Sequence, residues 1–340
     1  MLGQIITNIS SYLSSRVVLA PNISTALALI VFGIIILIVV SFFDYMYGWF
    51  ERKLMAKSQL RHGPTLIGKY GLLQNLADII KLLSKEVVIP ANANKYLFTI
   101  GIPAMLSLFI FLIYLMPISS SVYSIDISIG LLVLFTLLSF SPLLVFITGW
   151  ASGNKFAAIS SQRSVIMLIS YEIPMLLVIA SIGMAAKSYD FISIVNAQST
   201  MPFAILMPIG FIIFAIALLA ELERPPFDIR EADSELIAGW LTDVPAPYYA
   251  IALFIDYTRV LLGSMLMAIL FFSGWLGPSI IPGFVWLAIK VLIIAIALIL
   301  IRISTVRMKI DKLLKLGWLY LLPFAVLNLI YVFLLLYKVI

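Results

Sequence analysis

Apolar and polar positions in this chain segregate into long blocks. Runs of Ile, Leu, Val, Phe and Ala carry at most two charges each and are separated by shorter polar stretches. Eight runs approach or exceed the roughly 20 residues that a helix needs to cross the hydrocarbon core of a bilayer. They lie near 24–47, 96–117, 126–149, 164–186, 202–222, 247–273, 284–303 and 317–337. The pattern predicts an all-α integral membrane protein with about eight transmembrane helices. No repeat or linker divides it, so 1–340 reads as a single polytopic membrane domain. Residues 1–22 are mildly apolar with one charge, Arg16, and are expected to begin the first helix or to lie along the interface. They lack the charged start and small-residue cleavage site of a signal peptide.

One polar stretch, 50–95, is long enough to hold structure of its own. Within it, Gly71–Glu86 places Gln74, Asp78, Lys81 and Lys85 at spacings of four, three and four. Leu72, Leu73, Leu76, Ile79, Ile80 and Leu83 fall on the other face. This is the pattern of an amphipathic helix lying in the membrane surface. The alternative is a solvated helix that only anchors the loop.

Charge then orients the spans. The odd-numbered loops hold 17 of the 22 Lys and Arg residues; the second and sixth hold none and the fourth only Lys187. Basic residues mark cytoplasmic loops, so the odd loops are expected in the cytoplasm and both termini outside, in a cell membrane. The formal net charge of +6 is therefore topogenic and is no nucleic-acid signal. The chain is 63% hydrophobic and 11% charged, against about 25% charged in a soluble domain. It has no cysteine, which excludes thiolate-bound iron–sulfur clusters, thiol catalysis and disulfides. The single histidine, His62, is too little for a haem pair or a His-rich metal site and reads as an ordinary loop residue.

The remaining charges carry the chemistry. Seven of the sixteen acids crowd into Glu221–Asp243, ELERPPFDIREADSELIAGWLTD, between apolar runs. Pro225-Pro226 stops a helix, and Asp228 with Glu231 has the spacing of a capping box for the next one. Glu231 and Glu235 are four apart, so on a helix they repel, and with burial at least one would be pushed towards neutrality. Glu172 lies roughly 13 Å along a helix from Arg163, where a carboxylate needs a polar cavity, a partner, or a proton to carry. Asp256 and Arg259 are placed to pair three residues apart. Lys290 is alone in its run and could face the same polar interior, and Asp44 is expected at the interface.

Several motifs occur in one order: ERKLMAKSQLRHGP, GLLQNLADIIKLLSKE, RSVIMLISYEIP, ELERPPFDIREADSELIAGW and RISTVRMKIDKLLKLGWLYLLP. Together, over about 44–325, they resemble the quinone-chamber membrane subunit of respiratory complex I, subunit 1 or H. The equivalent subunits of coenzyme F420H2 dehydrogenases and membrane-bound [NiFe] hydrogenases share the pattern. The resemblance implies the membrane part of a quinone tunnel, with quinone as substrate and no metal or cluster bound by this chain. It implies peripheral subunits as a roof, one carrying an iron–sulfur cluster. It also implies small membrane subunits, antiporter-like pumping subunits and lipid as neighbours, and no nucleic acid. By motif match, Arg52, Gln59, Arg61 and Asp78 belong around the tunnel entrance. Arg224, Asp228, Glu231, Asp233 and Glu235 line the chamber end, with Arg302 and Arg307 nearby. Glu172, Glu221 and Asp256 continue inward, giving Glu172, Glu221, Glu231, Asp233, Glu235 and Asp256 as proton-relay candidates.

The sequence also departs from the family pattern. Thr65–Gly71 lacks the Arg and Pro usual after Gly-Pro. Arg230 replaces a usual Pro, and Asp233 and Asp256 stand where Glu is common. Glu223 stands where quinone-type subunits often have Asn, a feature nearer the hydrogenase branch. A proton-translocating quinone oxidoreductase subunit is the favoured expectation. The alternatives are the same subunit in a hydrogenase or ferredoxin- or F420H2-driven complex, a stand-alone ion or solute transporter, or a membrane anchor.

Overall fold

A computed structural model of the chain describes Thr7, Ser11 and residues 21–125, 127–231, 233–278 and 280–336. The expectation for residues 1–22 falls almost wholly outside them. The described elements are helical, as the apolar blocks predict. They are α1 (Pro21–Ser58), α2 (Gln74–Leu83), α3 (Lys95–Leu115), α4 (Gly130–Ala151, stepped at Ser139) and α5 (Lys155–Ala186). There follow α6 (Phe191–Ala197), α7 (Pro208–Glu221), α8 (Ala246–Phe271), α9 (Gly283–Ser304) and α10 (Ile310–Leu336).

Among the described residues, seven helices are long and apolar enough to cross a membrane: α1, α3, α4, α5, α8, α9 and α10. The protein is thus an all-α membrane protein. The fifth expected span, 202–222, is instead a four-residue helix, Phe203–Leu206, followed by the 14 residues of α7. Met207 leaves helical geometry before Pro208, which donates no backbone hydrogen bond and starts the helix afresh. α7 is too short to cross the core unaided.

The helix ends also differ from the hydropathy boundaries. α1 runs on to Ser58, eleven residues past the predicted end, because a polar sequence does not stop a helix unless a cap or breaker intervenes. Asp44 therefore sits inside α1. It is buried, and Thr258 Oγ1 of α8 donates to its Oδ2 at 2.6 Å, which corrects the interfacial expectation. α5 stays helical through Pro174.

α8 is the most enclosed span and packs against α1, α2, α3 and α9. α5 packs against α4, α7 and α10. Without water to expel between apolar helices, close approach of small residues sets such crossings. At Gly149 of α4, a Cβ would lie 2.6 Å from that of Ser161 and 2.8 Å from the Ala157 carbonyl oxygen of α5.

The connections sort into two sets. Arg163, just inside α5, bonds Glu235 of the fifth loop, Met308 of the seventh bonds the Pro226 carbonyl of the fifth, and Asn94 of the first bonds the Ala151 carbonyl. At the other end, Leu131 bonds the Tyr189 carbonyl, and Gln198 bonds Ser273. Lys290 belongs to that second end. Its ammonium donates to the carbonyls of Phe272, Gly274 and Leu276 at 2.7, 2.8 and 2.7 Å. It thus satisfies carbonyls at and beyond the C-terminus of α8, and the expected place in the polar interior is corrected.

Candidate functional site

The helical extension of α1 brings Glu51 and Arg52 to the loop end of the bundle, facing different neighbours. Arg52 Nη1 pairs with Asp78 of α2 at 2.6 Å, and Gln74 Nε2 donates to the other Asp78 oxygen at 3.1 Å. Asn75, buried beside them, donates to the Tyr45 carbonyl at 3.0 Å. These bonds fix the polar side of α2 against α1. Leu73, Leu76, Ile79, Ile80 and Leu83 are consequently left exposed, as a helix in the membrane surface requires. Against this corner lies a cavity of about 450 Å³ lined by Arg52, Met55, Arg61, His62, Thr65 and Gln74, among others. Its size is that of a small-molecule pocket. Arg61 Nε is held by Gln59 Oε1 at 2.7 Å. The four residues expected around the tunnel entrance therefore cluster, and His62 joins them at the cavity wall.

Glu51 points inward. It is buried and pairs with Arg224 at 3.0 Å and with Arg302. Arg224 Nη2 also donates to the Asp256 carbonyl at 3.2 Å, and its guanidinium lies 5.7 Å from the Tyr257 ring centroid. The Asp256 carboxylate faces Arg230 at 3.6 Å. Arg230 is buried and also meets Glu231, at 3.3 Å, and Glu223; Glu223 in turn pairs with Arg259. The result is two charge clusters, Arg302–Glu51–Arg224 and Asp256–Arg230–Glu223–Arg259, joined where Arg224 donates to the Asp256 backbone carbonyl. Each cation in them has an acid or carbonyl beside it, which is the condition for burying charge at bearable cost.

The expected Asp256–Arg259 pair is replaced in this chain. Asp256 faces Arg230 and Arg259 faces Glu223. Spacing along one helix made the local pair available, but the fifth loop offers Arg230 to Asp256 and Glu223 to Arg259.

That loop is shaped by special backbone positions. Pro225-Pro226 follows α7, as expected for a helix stop, and Glu223 takes a left-handed backbone, φ 51°. No helix begins at Asp228, which corrects the capping-box expectation; the segment through Glu231 is turn and coil. One half of the motif survives, since the Glu231 backbone N–H donates to the Asp228 carboxylate. Asp233 opens a helix of only four residues, Asp233–Leu236. Gly239 at φ 59° then lets the backbone pass so close that a Cβ would overlap the Arg230 carbonyl oxygen. Ser160 Oγ donates to that same carbonyl at 2.5 Å, and the Trp240 ring stacks 5.0 Å from the Arg230 guanidinium. Gly239 and Trp240 thus hold Arg230 in place.

The two acids expected to repel part company. Burial, with the field of Asp256 beside it, pushes the Glu231 carboxyl up to about 7, against the pull of Arg230. Glu235 is exposed and bonds Arg163 at 2.6 Å, which holds its carboxyl below the usual range. The four-residue helix begins only at Asp233, so it does not set Glu231 and Glu235 on one face, and the expected push towards neutrality does not reach Glu235. Burial raises the Asp228 carboxyl too, opposed by Arg307, Arg230 and Arg302. Arg302 and Arg307 therefore lie near Asp228.

Deeper in the bundle, Tyr171 donates to Glu221 Oε2 at 2.7 Å, and Ser139, at the step in α4, donates to Glu172 Oε1. Glu172 and Glu221 line one cavity of about 10 Å³, room for about one water. Sequence reading missed Glu51, Tyr171 and Ser139, and gave Arg259 the wrong partner. Glu51 sits within the ERK motif, but it looked like a loop residue while α1 was expected to end at 47. Among the described residues, no three His, Cys, Asp or Glu side chains form a metal-holding group.

Comparison with known proteins identifies the lineage. Residues 28–333 match the NADH dehydrogenase family. The H-type subunit of NADH-quinone oxidoreductase from Dehalococcoides mccartyi (strain CBDB1) is 36% identical over 306 residues, covering 88% of this chain and 83% of that protein. The H-type subunits of Syntrophotalea carbinolica (38% identity, 82% and 87% covered) and Brevibacillus brevis (36%, 92% and 94%) are similar over comparable lengths. With its ordered motifs and spans, the chain belongs to the NADH dehydrogenase family, among the H-type membrane subunits of NADH-quinone oxidoreductase.

Proposed function

We propose that the chain is the quinone-chamber subunit of a proton-translocating NADH:quinone oxidoreductase assembly, and that its buried charges transmit events at the quinone into the membrane. One observation carries this reading. A row of charges runs from Arg302 through Glu51 and Arg224, then by the Asp256 backbone carbonyl to Asp256, Arg230, Glu223 and Arg259, and Glu51 is the chain neighbour of Arg52, which lines a cavity of about 450 Å³. Glu221 and Glu172 follow it deeper in the bundle. Buried charge among apolar helices is retained at a cost.

In this reading the quinone head group enters past α2 and meets Arg52 and Gln74. Its reduction, by electrons from an iron–sulfur cluster in a roofing subunit, creates a demand for protons at the chamber. Glu231, poised near neutrality, answers that demand, and the change in its charge redistributes Arg230 between Glu231, Asp256 and Glu223. Peripheral subunits form the roof, small membrane and antiporter-like subunits lie beyond Glu172, and lipid surrounds the rest. The odd-numbered loops face the cytoplasm, a reading supported by their basic residues and mutual contacts. The relatives named above are quinone oxidoreductase subunits, which does not favour the hydrogenase alternative.

The test is reconstitution of the native complex containing this chain into liposomes. Addition of NADH and a short-chain quinone should give quinone reduction with internal acidification, while the chain alone should give neither. Hydrogen evolution without quinone reduction, or transport by the isolated chain, would overturn the reading.

A further inference from the structure

Arg259 has a structural partner but no task in the scheme above. Its Nη1 pairs with Glu223, and its Nη2 donates to Ser141 at 2.9 Å and approaches the Met105 sulfur at 3.3 Å. The pair is incompletely satisfied, because Arg259 Nε and Glu223 Oε1 are buried without a hydrogen-bond partner. A buried network with open valences is not locked into one arrangement. Arg259 also shares a second cavity of about 10 Å³ with Glu221, while Glu221 reaches the similar cavity that holds Glu172. The residue thus has one acid in hand and a second that lines the same small cavity. Gly263, one turn along α8, adds no side chain to that cavity. Glu223 takes its left-handed backbone two residues past Glu221, where α7 ends.

We propose that Arg259 is a positioning residue shared between Glu223 and Glu221, and that its partner at any moment sets whether Glu221 is charged. This inference rests on the functional reading above. With Arg230 drawn towards ionised Glu231 and Asp256, Glu223 depends on Arg259, and Glu221 stays protonated against Tyr171. When Glu231 takes up a proton, Arg230 suffices for Glu223, and Arg259 turns across the cavity to Glu221. Glu221 then gives its proton to the Glu172 carboxylate through the shared cavity. Glu172 passes it on or returns it, so no proton is created or lost at the switch. The long planar fork of an arginine suits this task, since it can exchange carboxylates while keeping its charge.

The experiment measures protons translocated per electron in the reconstituted complex carrying Arg259→Gln, Glu221→Gln, both together, or Arg259→Lys. Arg259→Gln should lower the ratio to a small part of that of the unsubstituted complex, because Glu221 then lacks the cation that ionises it. Adding Glu221→Gln should lower it no further, because the two act in one step. Arg259→Lys should give an intermediate ratio. An unchanged ratio in the assembled Arg259→Gln complex, or independent effects of the two substitutions, overturns the proposal. So does loss of assembly in both Gln and Lys variants, which would make Arg259 a structural cation. Failure of the unsubstituted complex to couple quinone reduction to pumping would instead sink the functional reading itself.

Discussion

At the scale of single residues, the fate of each carboxylate follows from its nearest cation and its access to water. Glu51 is buried between Arg224 and Arg302. Glu51→Gln would leave two guanidinium groups facing one another, and removing one partner of a buried ion pair costs about 3–5 kcal/mol. The expected outcome is a complex that loses this subunit on mild heating, read by native gel electrophoresis. Glu235 is the opposite case. Its bond to Arg163 is exposed, so Glu235→Gln should cost under about 1 kcal/mol and leave the proton-to-electron ratio unchanged. Glu231 lies between them, with a folded pKa near 7 against 4.5 unperturbed. A raised acid pKa means the folded state favours the proton, so its contribution is intact below about 4.5 and is lost as pH rises through 7. Glu231→Gln should therefore raise the melting temperature at pH 8 and leave it unchanged at pH 4.5. It should also remove a transition near pH 7 from the pumping profile.

At the scale of elements, the spans were legible because a bilayer demands long apolar helices whatever their partners. Seven of the expected spans appear as helices, while 202–222 breaks at Met207-Pro208. The surface helix was legible from its two faces. The ends of α1 and the role of Lys290 were not, since each depends on a neighbour distant in sequence. Lys290 looked like a polar-interior charge until α8 was seen to end against it. Lys290→Met should free three carbonyls at the end of α8 and destabilise the packing of α8 on α9 by about 2–3 kcal/mol. Faster hydrogen exchange at Phe272–Leu276, with quinone reduction retained, would bear this out. Likewise Glu231 and Glu235 could be placed on one helix face only by assuming a helix, and the chain supplies just Asp233–Leu236.

At the scale of the whole molecule, the charge row joins parts of the chain that hydropathy keeps separate. α1, α8, α9 and the fifth loop each supply one or more members, so its function requires all of them in register. The acid cluster was visible in the sequence, but its pairing was not, because Arg230 and Arg259 choose among several acids within reach. The cavity at the loop end should bind the substrate through Arg52. Arg52→Gln is expected to raise the KM for a short-chain quinone about tenfold, as loss of one charge-assisted contact would, while kcat changes less. Equal losses in kcat and kcat/KM would place Arg52 in the chemical step instead.

The outward apolar face of α2 has a kinetic consequence. A substrate that arrives past Leu73 and Leu76 arrives from the lipid, where its concentration is a mole fraction and not a molarity. Diluting a fixed amount of long-tailed quinone with inert lipid should then slow turnover even though the amount per litre is constant. Adding buffer at a constant quinone-to-lipid ratio should leave the specific rate unaltered. On the proposed function, α2 would make the surrounding bilayer the solvent in which the site's affinity is defined.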